Sequence, residues 1–295
     1  MNKSFNYLLD IQSIPTPSGP DQLYLDLLKR ALTRTLVAKN IERHSLNPKR
    51  PIFAVTNKVI KNILTPLKLE LVKNIESSEH DYIESTHSAN TRNEEAETML
   101  GIKQLDQMQA AITDVVNNNI PGDALEAGVW RGGMTIFMRG VLRVLNDNSR
   151  NVWVVDSFEG LPAPDKNHDS FGWVEEDMSV SLDDVKKNFQ RYNLDDENVK
   201  YLKGFFSETL PQAPIDKLSI LRVDADLYES TLSVLEPLYP KLSVGGYAIF
   251  DDYQNLKDCQ RAINEYRQKH NITDEIIEID QRAIYWKKTN QLVVN

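Results

Sequence analysis

From about Ala96 to the C-terminus, short runs of Val, Ile, Leu and aromatic residues alternate with longer segments whose apolar residues recur at helical spacing. That alternation admits few architectures, because strand, helix and strand in succession close most readily into a parallel sheet covered by helices on both faces. The pattern predicts helices over 97–118, 133–146, 181–192, 229–239 and 256–270, and strands over 123–127, 151–156, 199–202, 217–223 and 245–251. Two closing strands near 275–279 and 283–287 complete a set of seven and are expected to form an antiparallel edge. Segments such as NVWVVD, KLSILRVD and GYAIFDD suit the doubly covered interior of such a sheet. The expected fold class is α/β, a doubly wound and mostly parallel sheet.

Residues 1–95 have a different character and are read as an N-terminal helical extension with a linker, leaving 96–295 as the sheet domain. Pro15, Pro17 and Pro20 lie in a turn-rich start, and DQLYLDLLKRALTRT (Asp21 to Thr35) repeats its leucines largely at helical spacing. A second helix is expected over Val59 to Ile75, kinked or broken at Pro66. The polar run from Ser77 to Glu95 reads as a linker or mobile loop.

The net charge of -9 and pI near 5.2 weigh against a nucleic-acid partner, since binding to phosphate backbones depends on Lys and Arg. A single cysteine, Cys259, offers neither a disulfide nor a thiolate metal site and fits a reducing cytoplasm. No apolar run approaches the roughly 20 residues that a membrane helix needs, and the N-terminus has no secretory pattern. A cytoplasmic location and a small-molecule partner are therefore expected.

In doubly wound sheets ligands bind at the carboxyl ends of the strands, near the point where strand order reverses. Four polar clusters fall at such ends. The first is the turn Glu126-Ala127-Gly128-Val129-Trp130-Arg131-Gly132-Gly133, where glycine permits close approach of backbone to a ligand. It is neither a dinucleotide GxGxxG nor a P-loop, which favours a cofactor without phosphates, although a plain tight turn explains it too. The second is Asp156-Ser157-Phe158-Glu159-Gly160, in which Asp156 either accepts the hydroxyls of a ribose or caps a turn.

The third and fourth clusters are Arg222-Val223-Asp224-Ala225-Asp226 and Phe250-Asp251-Asp252-Tyr253. Two strands each ending in a pair of aspartates bring like charges together, a cost that a cation offsets. Asp224, Asp251 and Asp252 supply hard oxygen ligands suited to Mg²⁺ or Ca²⁺, with positions left for water and a substrate hydroxyl. The alternative is that these aspartates only cap the helices that follow. The acidic stretch Ala163 to Ser179 is either a lid over the substrate or a solvated loop. Within it, His168 is a conceivable auxiliary base, while the other four histidines have no ligand spacing.

The sequence resembles the macrocin and mycinamicin O-methyltransferase family. The motifs that carry the resemblance are TMLGIKQLDQMQ (98–109), GDALEAGVWRGG (122–133), VDSFEGLP (155–162), NFQRYNL (188–194), GFFSETLP (204–211), LRVDADLYEST (221–231), YPKLSVGGYAIFDDY (239–253) and AIYWKK (283–288). Similarity covers 97–295 and also Leu23 to Thr35. It implies a class I methyltransferase fold, with S-adenosylmethionine as cofactor and its methionine part inside the turn of Glu126, Ala127, Gly128, Val129, Trp130, Arg131 and Gly132. Asp156 and Ser157 would meet the ribose, and Asp224 would border the cofactor. It also implies Mg²⁺ on Asp224, Asp251 and Asp252, with Mn²⁺ or Ca²⁺ as stand-ins, and Asp226 as general base.

The activity so implied is methylation of one hydroxyl of a vicinal diol, such as a sugar on a natural product. Homo-oligomerisation through the leucine-rich N-terminal helix is a further expectation. The chain departs from the family between Val37 and Glu95, where Thr91-Arg92-Asn93-Glu94-Glu95 replaces an acidic-tryptophan-proline stretch expected to border the acceptor. Two other readings remain: an NAD-type oxidoreductase using Asp156 on the ribose, and a non-catalytic module in a biosynthetic complex.

Overall fold

The computed structural model describes residues 19–36, 40–43, 72–75, 96–165 and 167–290. Helix α1 (Pro20–Leu32) is followed by a separate antiparallel pair, β1 (Asn40–Arg43) and β2 (Val72–Ile75). The alternating region then gives α2 (Ile102–Asn117), β3 (Asp123–Ala127), α3 (Gly133–Val144), β4 (Val152–Asp156), α4 (Leu182–Arg191) and β5 (Val199–Lys203). It continues through a short α5 (Phe206–Thr209), β6 (Leu218–Val223), α6 (Tyr228–Leu238), β7 (Leu242–Phe250), α7 (Lys257–Lys269), β8 (Ile277–Glu278) and β9 (Ile284–Lys287).

Seven strands assemble in the order β5-β4-β3-β6-β7-β9-β8. The first five are parallel, while β9 runs antiparallel to both β7 and β8. The chain builds outward from β3 to β5, then returns to lay β6 on the other side of β3. This reversal opens a crevice beyond the carboxyl ends of β3 and β6.

Two cores follow from the two-residue period of the strands. Ala124, Val152, Val154, Ile220 and Ile249 face one way and pack against α1, α2, α3 and α4. Leu125, Trp153, Val155, Leu221, Val223 and Phe250 face the other way and pack against α6 and α7. Leu25, Leu28 and Leu32 of α1 belong to the first core, and Lys29 Nζ donates to Asp106 of α2 at 2.6 Å. The N-terminal helix is therefore built into the sheet domain's packing.

Two expectations need correction. Helix α2 begins at Ile102 rather than at 97, because residues 97–101 run extended as a strap: the Glu97 N–H donates to the Leu32 carbonyl, and the Glu97 carbonyl accepts from Gly133 N–H. Of the helix expected over Val59 to Ile75, residues 59–71 lie outside the described residues, and Val72–Ile75 form a strand whose backbone is satisfied by pairing with Asn40–Arg43. The linker expected from Ser77 to Glu95 lies outside the described residues. No described helix is long and apolar enough to cross a membrane.

The loops after β3 and β6 touch at Gly128. Its φ is +87°, and a Cβ there would sit 1.8 Å from the Asp224 carbonyl oxygen. Gly128→Ala should therefore cost about 2 kcal/mol or more, a fall of roughly 4–8 °C in Tm by thermal denaturation. An unchanged Tm would mean that the two loops are not locked in this contact.

Candidate active site

Glu126 and Arg222 are register partners on adjacent parallel strands, so their side chains leave the same face of the sheet. The Arg222 side chain is completely buried. Its Nη1 donates to Glu126 Oε1 at 2.7 Å and to Asp224 Oδ2 at 2.9 Å. Nη2 donates to Asp251 Oδ1 at 2.7 Å and to Gln104 Oε1 at 3.2 Å. One guanidinium thus ties together β3, β6, the end of β7 and helix α2.

A second arginine stands beside it. Arg282, in the turn before β9, donates from Nη2 to Asp251 Oδ2 at 3.1 Å and to Asp252 Oδ1 at 2.7 Å. Its own position is held by Asp280, whose Oδ1 accepts from the backbone N–H of Arg282 and Ala283. The sequence reading left Arg282 out and gave Arg222 no role. The one available signal was a cationic residue inside the otherwise apolar run KLSILRVD, which a buried strand tolerates only opposite acids.

The carboxylates are not equivalent. One oxygen each from Asp224, Asp226 and Asp252 lie within 4.8 Å of one another. Both oxygens of Asp251 instead face arginines. Asp224 keeps 26% of its side chain open, whereas Asp252 is buried and its Oδ2 has no hydrogen-bond partner. Burial pushes the Asp252 carboxyl up to about 7, reinforced by the charges of Asp226 and Asp251. Asp224 is raised well above the usual carboxylate range by burial and then by Asp251. Glu126, raised to about 8 chiefly by burial, has a second oxygen, Oε2, that is also without a partner.

Asp226 occupies the centre of a tight turn in which Leu227 N–H donates to the Ala225 carbonyl at 2.6 Å. Its φ of +57° is left-handed, a conformation that costs free energy in a non-glycine residue and recurs at functional sites. Trp130, in the loop after β3, is likewise left-handed at +47°, with the Arg131 guanidinium stacked 4.4 Å from its ring centroid.

Asp156, at the end of β4, accepts from Val129 N–H and Phe158 N–H, both at 2.8 Å. It therefore braces the Gly128–Gly132 loop while lining the same cavity as Glu126 and Asp224. Ser157 Oγ donates to the Gly160 carbonyl at 2.7 Å and shapes the next turn.

These groups share one cavity of about 980 Å³ at the crevice. That is at the upper end of the range for small-molecule sites, large enough for a cofactor and an acceptor together. Of the described residues lining it, Arg282 alone is basic, and it is already engaged by two aspartates. Such a wall favours a cationic ligand and provides no partner for a pyrophosphate, which counts against the dinucleotide reading. Glu97 of the extended strap closes one side, its carboxylate bonded to Arg34 at 3.1 Å and Tyr192 at 2.9 Å. His168 lies within 3.2 Å of Glu229 and 3.4 Å of Asp165, apart from the Asp224, Asp226 and Asp252 cluster. Cys259 is buried against Thr231.

A model of the macrocin O-methyltransferase family, TylF, matches residues 21–288. The mycinamicin III 3''-O-methyltransferase of Micromonospora griseorubida is 36% identical over 282 residues, 93% of this chain and 99% of that protein. A 4'-O-methyltransferase of 8-demethyl-8-(2,3-dimethoxy-alpha-L-rhamnosyl)-tetracenomycin-C from Streptomyces olivaceus is 45% identical over 204 residues, 66% of this chain and 76% of that protein. Among solved structures, the O-methyltransferase NovP is 38% identical, with a TM-score of 0.73 over 92% of this chain and 100% of its own.

The Arg222 network yields a stability test. Arg222→Met removes the cation and leaves buried acids uncompensated, so it should destabilise by about 3–5 kcal/mol in chemical denaturation. A loss under about 1 kcal/mol would show that the acids do not depend on it.

Proposed function

This chain belongs to the macrocin O-methyltransferase family and is an S-adenosylmethionine-dependent O-methyltransferase of class I fold, and on that premise we propose that it methylates one hydroxyl of a vicinal diol, on a sugar of a natural product, with help from a divalent cation. The observation that carries the reading is the convergence of Asp224, Asp226 and Asp252 oxygens in the wall of the cavity bounded by the Glu126–Gly132 loop.

The donor set suits Mg²⁺. Three carboxylate oxygens within 4.8 Å of one another, one carboxylate with a buried oxygen lacking any partner, and raised proton affinities all describe acids that want a cation. The residues fit the ion. Asp224 and Asp252 are the ligands best placed for it, whereas both oxygens of Asp251, the expected third ligand, accept from arginines. When bound there, a divalent cation lowers the pKa of a hydroxyl in contact with it.

S-adenosylmethionine supplies a methyl group already activated by a sulfonium charge. The chain's remaining tasks are to align an acceptor oxygen and to remove its proton. The Glu126, Ala127, Gly128, Val129, Trp130, Arg131 and Gly132 loop holds the cofactor's methionine part, with Glu126 Oε2 available to its ammonium group. Asp156 and Ser157 would meet the ribose, and Asp224 would border the cofactor. Asp226, close to Asp224 and Asp252 but in its own strained turn, takes the proton as general base. The acidic lining favours the cationic sulfonium throughout.

The experiment is methyl transfer to hydroxylated glycosides, followed by mass gain, with and without EDTA. EDTA should abolish product and added Mg²⁺ should restore it; full activity in EDTA would remove the cation from the mechanism. Asp252→Asn should lose stabilisation by Mg²⁺ in a thermal-shift titration. Asp226→Asn should keep that stabilisation and its affinity for S-adenosylhomocysteine yet lose turnover by about 10²-fold or more. Near-normal turnover would take Asp226 out of the base role.

A further inference from the structure

A second cavity, of about 220 Å³, opens from the first between residues 169–173 and the start of α7. Asp169, Phe171, Trp173, Asp226, Leu227 and Leu256 line both cavities, so the two form one passage that begins at Asp226. A ligand bound at Asp226 by a hydroxyl thus has room to extend into this annex.

The annex is built. Phe171 and Trp173 form one wall, ring centroids 5.1 Å apart at 43°, and Phe171 leaves 61% of its surface exposed instead of packing into the core. Trp173 Nε1 is shielded from solvent yet has no hydrogen-bond partner, an uncommon state for a buried indole. Leu227 and Leu256 line it as well. The aromatic segment is anchored to the body: Asp169 Oδ1 accepts from Tyr228 N–H at 2.9 Å, Ser170 donates twice to Asp258 Oδ2 at 2.8 Å, and Arg261 donates to the His168 carbonyl at 3.0 Å. Among the described residues lining the annex, Asp169, Asp226 and Asp258 stand against one basic side chain, Lys257.

Building on the acceptor reading above, we infer that this annex is a binding subsite for the part of the acceptor beyond its methylated ring, and that it selects a flat, apolar, non-anionic group carrying a hydrogen-bond acceptor. The rings of Phe171 and Trp173 cover the flat face, Trp173 Nε1 donates to the group's oxygen, and the acidic rim repels phosphate or carboxylate. A wall already fixed in place binds without a large ordering cost.

The test uses the full chain loaded with S-adenosylhomocysteine and Mg²⁺, and three probes: methyl, 4-acetylphenyl and 4-carboxyphenyl α-L-rhamnoside. Calorimetry should find the neutral aryl glycoside bound about tenfold more tightly than the methyl glycoside, and the carboxylate probe bound more weakly than the neutral aryl one. Trp173→Ala and Phe171→Ala should erase the aryl advantage while affinity for S-adenosylhomocysteine and Tm stay as in the parent. Trp173→Phe should retain part of it, separating the stacking face from the indole donor. An aryl advantage that survives Trp173→Ala, an equal affinity for the two aryl probes, or no measurable binding of the neutral aryl glycoside overturns the inference. Parallel assays with S-adenosylmethionine keep the two readings apart: aryl binding without turnover of any probe overturns the acceptor reading alone, and turnover without an aryl advantage overturns the annex alone.

Discussion

A single buried cation holds the centre of this molecule together. Arg222 has no exposed surface, yet it bonds Glu126, Asp224 and Asp251 at once, and so joins the ends of three parallel strands. Burying a guanidinium is costly unless its donors are matched by acceptors, and here Gln104 of α2 supplies a further one. The acids in turn tolerate burial because the arginine is there. Neither side of the network is stable without the other, so the site and the central sheet are one electrostatic unit.

The arrangement also creates the site's chemistry. Arg222 and Arg282 satisfy Asp251 on both oxygens and each reaches one further acid, Asp224 or Asp252, yet oxygens of Asp224, Asp226 and Asp252 still lie within 4.8 Å of one another. Asp252 is left with a buried oxygen and no partner. Burying like charges side by side is affordable in a fold only where a ligand completes the balance, and the cavity lining leaves that task to cations. A sulfonium cofactor and a divalent ion both answer that description, whereas a dinucleotide does not.

Loop geometry places these groups at the reversal of strand order. Gly128 lets the loop after β3 rest on the Asp224 carbonyl, and Asp156 pins that loop through the Val129 N–H. The left-handed turn at Asp226 places it between the end of β6 and the start of α6. On the opposite side, the Glu97 strap ties α1 to the start of α3 through backbone hydrogen bonds. Residues distant in sequence thus enclose one cavity, among them Asp165, Asp169, Phe171 and Trp173 of the acidic stretch that the sequence allows as a lid or a solvated loop.

The sequence by itself determined the sheet, because the strand and helix periods of 96–295 are local properties that survive without knowledge of neighbours. The ends of β3 at Asp123 and Ala127 match the pattern to the residue, and the glycine turn and both aspartate pairs fall where the strand ends predict. The start of α2 was misjudged because Glu97 to Gly101 has a helix-compatible composition but spends its backbone bonds on α1 and α3. Only tertiary structure decided which acids converge and which are neutralised: Asp251 and Asp252 are adjacent in sequence, yet Arg222 and Arg282 reach them from elsewhere in the fold and treat them differently. Side-chain pairing across a sheet depends on register and on what packs above it, and no local pattern encodes either.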